Sequence, residues 1–311
     1  MKSLWNWLPG SIDRRVRVAA WATLVSQILI IGTGGAVRLT GSGLGCPTWP
    51  RCTEDSFVTT PEMGFHGIIE FGNRLLTFVL ILIALAMFIF VLRLRKERPE
   101  LFTLSLVIGL GIPGQAVIGG ITVLTDLNPY VVGLHYLLSA VLVGLAAVLL
   151  YRVRVAGPSE VWGVPFSVRL LSGAMFGVLT ISILMGILTT GSGPHAGDGG
   201  AARNGLDSWL LQHFHAWPSY VFLGLSLTMV GLAWLANVGS PRFRRTATAL
   251  LAVTIVQIGV GLYQARNGLP ELFVGIHMVM AAVLVAITVS VLLAQRVEPA
   301  RAELVDQRQQ L

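Results

Sequence analysis

Two histidines 62 residues apart, His215 and His277, lie inside apolar stretches of the chain. An ionisable ring in such a place is costly and points to function by default. Residues 132–143, VGLHYLLSAVLV, match residues 274–285, VGIHMVMAAVLV, at seven of twelve positions, which makes His135 the counterpart of His277 at a shift of 142. The same shift carries Gln115 onto Gln257, Gly119 onto Gly261, Asn73 onto His215 and Glu70 onto Gln212. One half of the chain therefore pairs two histidines, and the other pairs His135 with Asn73. Two imidazoles at matched depth on neighbouring helices ligate haem iron from both faces. One imidazole opposite a neutral amide leaves a face open. A single buried histidine can equally be a hydrogen-bonded core residue; the repeated pairing is what favours ligation.

The stretch FHGIIEFGNR, residues 65–74, adds Glu70 and Arg74 beside Asn73. Their i, i+4 spacing suits an ion pair along a helix. Near a haem the carboxylate can accept protons and the guanidinium can hold a propionate, so the structural and the chemical readings both stand. Glu70 has no acidic equivalent in the second half, which makes the first half the reactive one and the second an electron relay. Cys46 and Cys52, the only cysteines, share the segment GLGCPTWPRC. A structural staple and a redox-active pair are both open readings; the spacing is not CxxC, and no CxxCH haem-attachment motif occurs. Of the other histidines, His213 points away from the face of His215, His195 is expected in a solvated loop, and His66 lies about 10 Å above Asn73 on a helix.

The elements that must hold these residues follow from composition. The chain has 311 residues, 54% hydrophobic and 12% charged, with mean hydropathy +0.74, the balance of a polytopic membrane protein. Eight runs are long enough to cross a bilayer as helices: about 17–37, 67–92, 101–124, 131–151, 168–190, 209–237, 246–265 and 272–295. The net charge of +7 reports topology and not a nucleic-acid partner, because seventeen of the 22 basic residues fall on one side of the spans. By the positive-inside rule both termini are cytoplasmic, and the site residues lie toward the outer surface of a bacterial plasma membrane. The first apolar run lacks a small-residue cleavage site and is expected to be retained.

The repeat extends to TGSG at 40–43 and 190–193, a shift of 150. The expected fold is all-α, eight transmembrane helices as two pseudo-symmetric four-helix bundles. The repeat is parallel, because four spans per unit preserve orientation. Residues 1–155 form the first unit, 156–300 the second, and 301–311 a polar cytoplasmic tail.

RLTGSGLGCPTWPRC, IIEFGNR and the repeated VGLH and VGIH together resemble the haem A synthase family, over essentially all eight spans. The resemblance implies one bundle holding haem b as cofactor and another receiving haem O as substrate. The implied reaction oxidises a ring methyl of haem O to the formyl group of haem A for cytochrome oxidase biogenesis. Carried over by position, His215 and His277 ligate the haem b iron, His135 contacts the haem O iron, Glu70 is the catalytic carboxylate, and Cys46 and Cys52 form a disulfide. Asn73 and Arg74 complete the substrate site. Asn73 departs from the family, many members of which carry histidine there. The implied partners are haem O, the lipid bilayer, a haem O synthase and an electron acceptor. Two other functions compete: a dihaem quinol-linked relay, which has little use for Glu70, and a transporter, whose polar residues would line a path across the bilayer.

Overall fold

The computed structural model describes residues 7–155 and 161–298. The expected tail, 301–311, lies outside the described residues. Eight long helices account for most of the rest: α1 (Arg14–Leu39), α2 (Gly64–Val91), α3 (Pro99–Leu124), α4 (Pro129–Arg154), α5 (Phe166–Ser192), α6 (Ser208–Trp234), α7 (Pro241–Arg266) and α8 (Glu271–Ala294). Each is long and apolar enough to cross a bilayer, and the chain is a multi-pass membrane protein. The eight expected spans are all present, with ends that differ from expectation by up to five residues.

Local signals explain where several helices begin. Asp13 caps α1 by accepting from the Val16 amide at 3.1 Å, Asp207 caps α6 through Leu210 at 3.0 Å, and Ser240 caps α7 through Phe243 at 3.2 Å. Asn128 caps α4, with Pro129 supplying the preset first turn. Many large apolar side chains face outward, among them Leu29, Phe78, Leu82, Leu110 and Leu170. In lipid such a surface needs no polar face, so an amphipathic stripe is not required of these helices.

Helices α1 to α4 pack in a closed ring, each against its neighbours and α4 back onto α1; α5 to α8 make a second ring. The rings meet where α8 lies against α1 and α4, and where α4 meets α5. Small residues let the backbones approach at that seam. A Cβ on Gly32 would meet Val279 at 3.0 Å, and one on Gly35 would meet Met278 at 3.3 Å. Ala146, Ala147, Ala282 and Ala286 belong to the same buried core, with Met87, Met175 and Met229. At one end of the molecule a short antiparallel pair, β1 (Val161–Trp162) and β2 (Arg296–Val297), joins the segment before α5 to the segment after α8. At the other end the loops are cross-tied. The Gly43 amide donates to Gly197 O at 2.7 Å, and Arg38 donates to His195 O at 2.6 Å and Thr190 O at 2.9 Å.

Candidate functional site

The loop between α1 and α2 folds back onto the first turns of α2. Cys46 and Cys52 are joined in a disulfide, and both are fully buried. Gly45 is needed for this approach, because a Cβ there would run into the backbone of His66 and Gly67. Beneath the loop sits Glu70, only 6% exposed. Its Oε2 accepts the Cys46 amide at 2.5 Å, and its Oε1 accepts from Arg74 Nη2 at 2.5 Å and Nε at 3.1 Å. Arg74 reaches on to the loop, donating to Cys46 O at 3.1 Å, Thr48 O at 3.0 Å and Arg51 O at 3.1 Å. Carboxylate and guanidinium thus grip one loop by its peptide groups, and among the described residues Arg74 Nη1 donates to Arg51 O alone. A buried ion pair gains most when hydrogen bonds satisfy its remaining groups, as they do here.

The same loop reaches α3. Trp49 lies against Gly120, where a Cβ would enter the indole, and the neighbouring Gly119 receives the ring of His135, whose Cε1 is 3.3 Å from the position of a Cβ. Two adjacent glycines therefore seat an indole from the loop and an imidazole from α4. Gln115, one turn earlier on α3, donates to His135 O at 3.2 Å and to Ser139 Oγ at 3.0 Å. On α2, Asn73 has its Oδ1 buried and without a hydrogen-bond partner. Among the described residues no hydrogen bond links Asn73 to His135.

In the second ring the rings of His215 and His277 are 6.0 Å apart between centroids, at 76° to one another. A metal–imidazole bond is about 2 Å, so two imidazoles sharing one metal ion have centroids roughly 6 Å apart. Nδ1 of His215 is 2.8 Å from Ser182 O, which leaves Nε2 for a ligand. Each ring again rests on a glycine: a Cβ on Gly186 would meet His215 Cε1 at 2.9 Å, and one on Gly261 would meet His277 Cε1 at 3.0 Å. Gln257 donates to His277 O at 3.1 Å, as Gln115 does to His135. Among the described residues no three His, Cys, Asp or Glu side chains converge to cage a bare ion. The donor set suits a metal that brings its own equatorial ligands, as haem iron does, and the glycine seats and orphaned Asn73 Oδ1 are consistent with space kept for one.

The remaining histidines sort differently. His213 Nδ1 pairs with Trp209 O at 2.7 Å, and its ring lies 4.3 Å from that indole. His195 is not the solvated loop residue expected: it is half-buried, its Nε2 is 2.9 Å from Leu269 O and its own carbonyl accepts from Arg38, so it ties its loop to the loop before α8 and to the end of α1. His66 is exposed, 2.9 Å from Ser42 Oγ, and lines a cavity of about 580 Å³ with Met63, Gly45, Pro47 and Asp198. Sequence reasoning did not find the seat at Gly186 or the contact of Trp49 with Gly120. The 150-residue shift places Ala36, not a glycine, where Gly186 stands, so the repeat carried no signal for the seat, and the Trp49 contact had none either.

The family model described as cytochrome oxidase assembly protein, COX15-CtaA, matches residues 17–289 of the chain. A haem A synthase of Sphingopyxis alaskensis is 27% identical over 340 aligned positions, covering 91% of this chain and 92% of that protein. The haem A synthase of Geobacillus thermodenitrificans is 27% identical over 139 residues and that of Lysinibacillus sphaericus 33% over 149. These two matches cover 45% and 48% of this chain, and span 43% and 48%, less than half, of those relatives.

Proposed function

The chain belongs to the cytochrome oxidase assembly protein family, and from that premise we propose that it is a haem A synthase, oxidising a ring methyl of haem O to the formyl group of haem A. The observation that carries the reading is the difference between the two rings of helices. His215 and His277 stand at the spacing of a shared metal ion, whereas His135 stands alone on a glycine seat, with Asn73 as its repeat partner and the gripped carboxylate of Glu70 on the same helix as Asn73.

In this reading residues 156–300 form the cofactor unit, and His215 and His277 would hold haem b, His215 through the Nε2 that its Ser182 contact leaves available. Haem b, when bound, supplies one-electron transfer. Residues 1–155 form the substrate unit, where His135 anchors the iron of haem O and Asn73 leaves the opposite face without a strong ligand. Converting a methyl to a formyl group with water as the oxygen source releases four protons and four electrons (R–CH3 + H2O → R–CHO + 4 H+ + 4 e−); the electrons go to the acceptor, and Glu70 is the carboxylate that would receive protons. The Cys46 amide and Arg74 fix the direction of that carboxylate, and Nη1 of Arg74 is the group that would meet a propionate. Trp49, seated on Gly120 beside the His135 seat, and the disulfide-closed loop would shield a haem bound there from water. The protein sits in a bacterial plasma membrane with both termini cytoplasmic and the disulfide loop outside. It takes haem O from a haem O synthase and passes electrons to an acceptor.

Spectroscopy of the purified protein tests the division of labour. Protein isolated with haem b should show a low-spin spectrum that disappears in His215→Ala or His277→Ala and survives in His135→Ala. A low-spin signal that depends on His135 and not on His277 would reverse the assignment of the halves.

A further inference from the structure

An amide in the middle of a membrane bundle is costly unless both its ends are used. Gln115 and Gln257 each use one. Their Nε2 atoms donate to the backbone carbonyls of His135 and His277, at 3.2 and 3.1 Å, whereas both Oε1 atoms are buried without a partner. The histidines they hold have the complementary deficit: Nδ1 of His135 and Nδ1 of His277 are also buried without a partner. Gln257 is 8% exposed, so bulk solvent does not reach it freely. His215, by contrast, already has an acceptor for Nδ1 in Ser182 O. In both halves, then, an orphaned acceptor and an orphaned donor sit on side chains already joined through one backbone carbonyl. One turn beyond each glutamine lies the glycine that seats the same ring, Gly119 or Gly261.

A metal-ligating imidazole usually donates its second N–H to a neighbouring acceptor, which fixes the tautomer and raises the basicity of the ligating nitrogen. We infer that Gln115 and Gln257 are positioning residues for His135 and His277: the amide N–H clamps the histidine backbone, and the carboxamide oxygen receives Nδ1–H, directly or through one water, when Nε2 is engaged by iron. The inference rests on the haem-ligating reading above. It explains why glutamine stands at both repeat positions and why its amide is set against the backbone of the ligand helix. His135 and His277 then present the same tautomer by the same device, while His215 uses a carbonyl of α5.

The test uses full-length, detergent-purified protein carrying its haem, with transfer of haem to excess apomyoglobin as one readout and the electron paramagnetic resonance and midpoint potential of the low-spin centre as the others. Gln257→Leu should release haem about tenfold faster or more, since loss of such a supporting hydrogen bond costs roughly 10–100-fold in metal affinity. It should also shift the resonance signal. Gln257→Glu, nearly identical in volume, keeps an acceptor for Nδ1–H but when ionised gives up the N–H clamp on His277 O, so it should hold haem better than Gln257→Leu and lower the midpoint potential. Wild-type release rate, resonance signal and potential in both variants would overturn the inference. If Gln257→Leu does not fold, the potential of Gln257→Glu decides alone. Wild-type protein that binds no haem through His277 would instead refute the underlying reading, a separate outcome.

Discussion

The amide of Cys46 donates to Glu70 Oε2 at 2.5 Å while the carbonyl of the same residue accepts from Arg74 at 3.1 Å, so one residue of the disulfide loop is held on both sides by the Glu70–Arg74 pair. The carboxylate that would act as base is aimed by the loop, and the loop is placed by the pair. Function in the first half of the molecule therefore depends on the loop as much as on the helix.

Arg74→Ala should be more harmful to folding than Glu70→Gln. Removing the guanidinium leaves a buried carboxylate held by one amide alone and frees three loop carbonyls, and breaking a buried pair in this way costs about 3–5 kcal/mol. Glu70→Gln keeps the shape and acceptor oxygen. Thermal unfolding in detergent should rank wild type above Glu70→Gln, and Glu70→Gln well above Arg74→Ala.

Opening the disulfide should slow the reaction without touching the cofactor half. In the double variant Cys46→Ser, Cys52→Ser, the loop loses its covalent closure, and displacement of the Cys46 amide by even about 1 Å is expected to cost around a hundredfold in rate. The low-spin spectrum assigned to His215 and His277 should stay as in wild type. A spectrum that changes along with the rate would place the loop's role elsewhere.

The glycine seats should be intolerant in proportion to their tightness. A Cβ at Gly186 or Gly261 would stand 2.9 or 3.0 Å from the histidine ring, and at Gly119 3.3 Å. Gly186→Ala and Gly261→Ala should each reduce haem held in the second half, with strain of about 1–3 kcal/mol typical of overpacked sites. Gly119→Ala should be milder and confined to the first half. Haem content per protein, measured for each variant, checks the order.

Asn73 should not be convertible to a ligand by one change. At the 150-residue shift Ala36 stands where Gly186 seats His215, so the place at which Asn73 departs from the repeat coincides with the loss of the seat. Asn73→His alone should leave the spin state of bound haem O nearly unchanged, whereas Asn73→His with Ala36→Gly should move it to low spin. Resonance Raman spectra of the two variants distinguish these outcomes.

Much of the fold was legible because a bilayer imposes its own rule: each run of about 20 apolar residues had to be a helix, and all eight are. The pairing of His215 with His277 was legible for a second reason, the internal repeat, which turned one weak signal into two related ones. The loop was not. Its grip on the Glu70–Arg74 pair runs through backbone groups of Cys46, Thr48 and Arg51, which carry no residue-type signature. His195 misled for the same reason: its position in a glycine-rich segment reads as solvated, yet the Leu269 carbonyl meets its ring and Arg38 of α1 holds its backbone. The β1–β2 pairing joins segments 135 residues apart and left no pattern in either.

The most direct measurement is extraction of haem from cells that lack their own haem A synthase and express this protein together with a haem O synthase, with chromatographic separation of haems B, O and A. Haem A should appear with the wild-type chain and fall by about two orders of magnitude or more in Glu70→Gln, the range expected for loss of a positioned acid–base group. Recovery of only haems B and O from well-folded wild-type protein would contradict the oxidation and leave an electron relay as the function of the molecule.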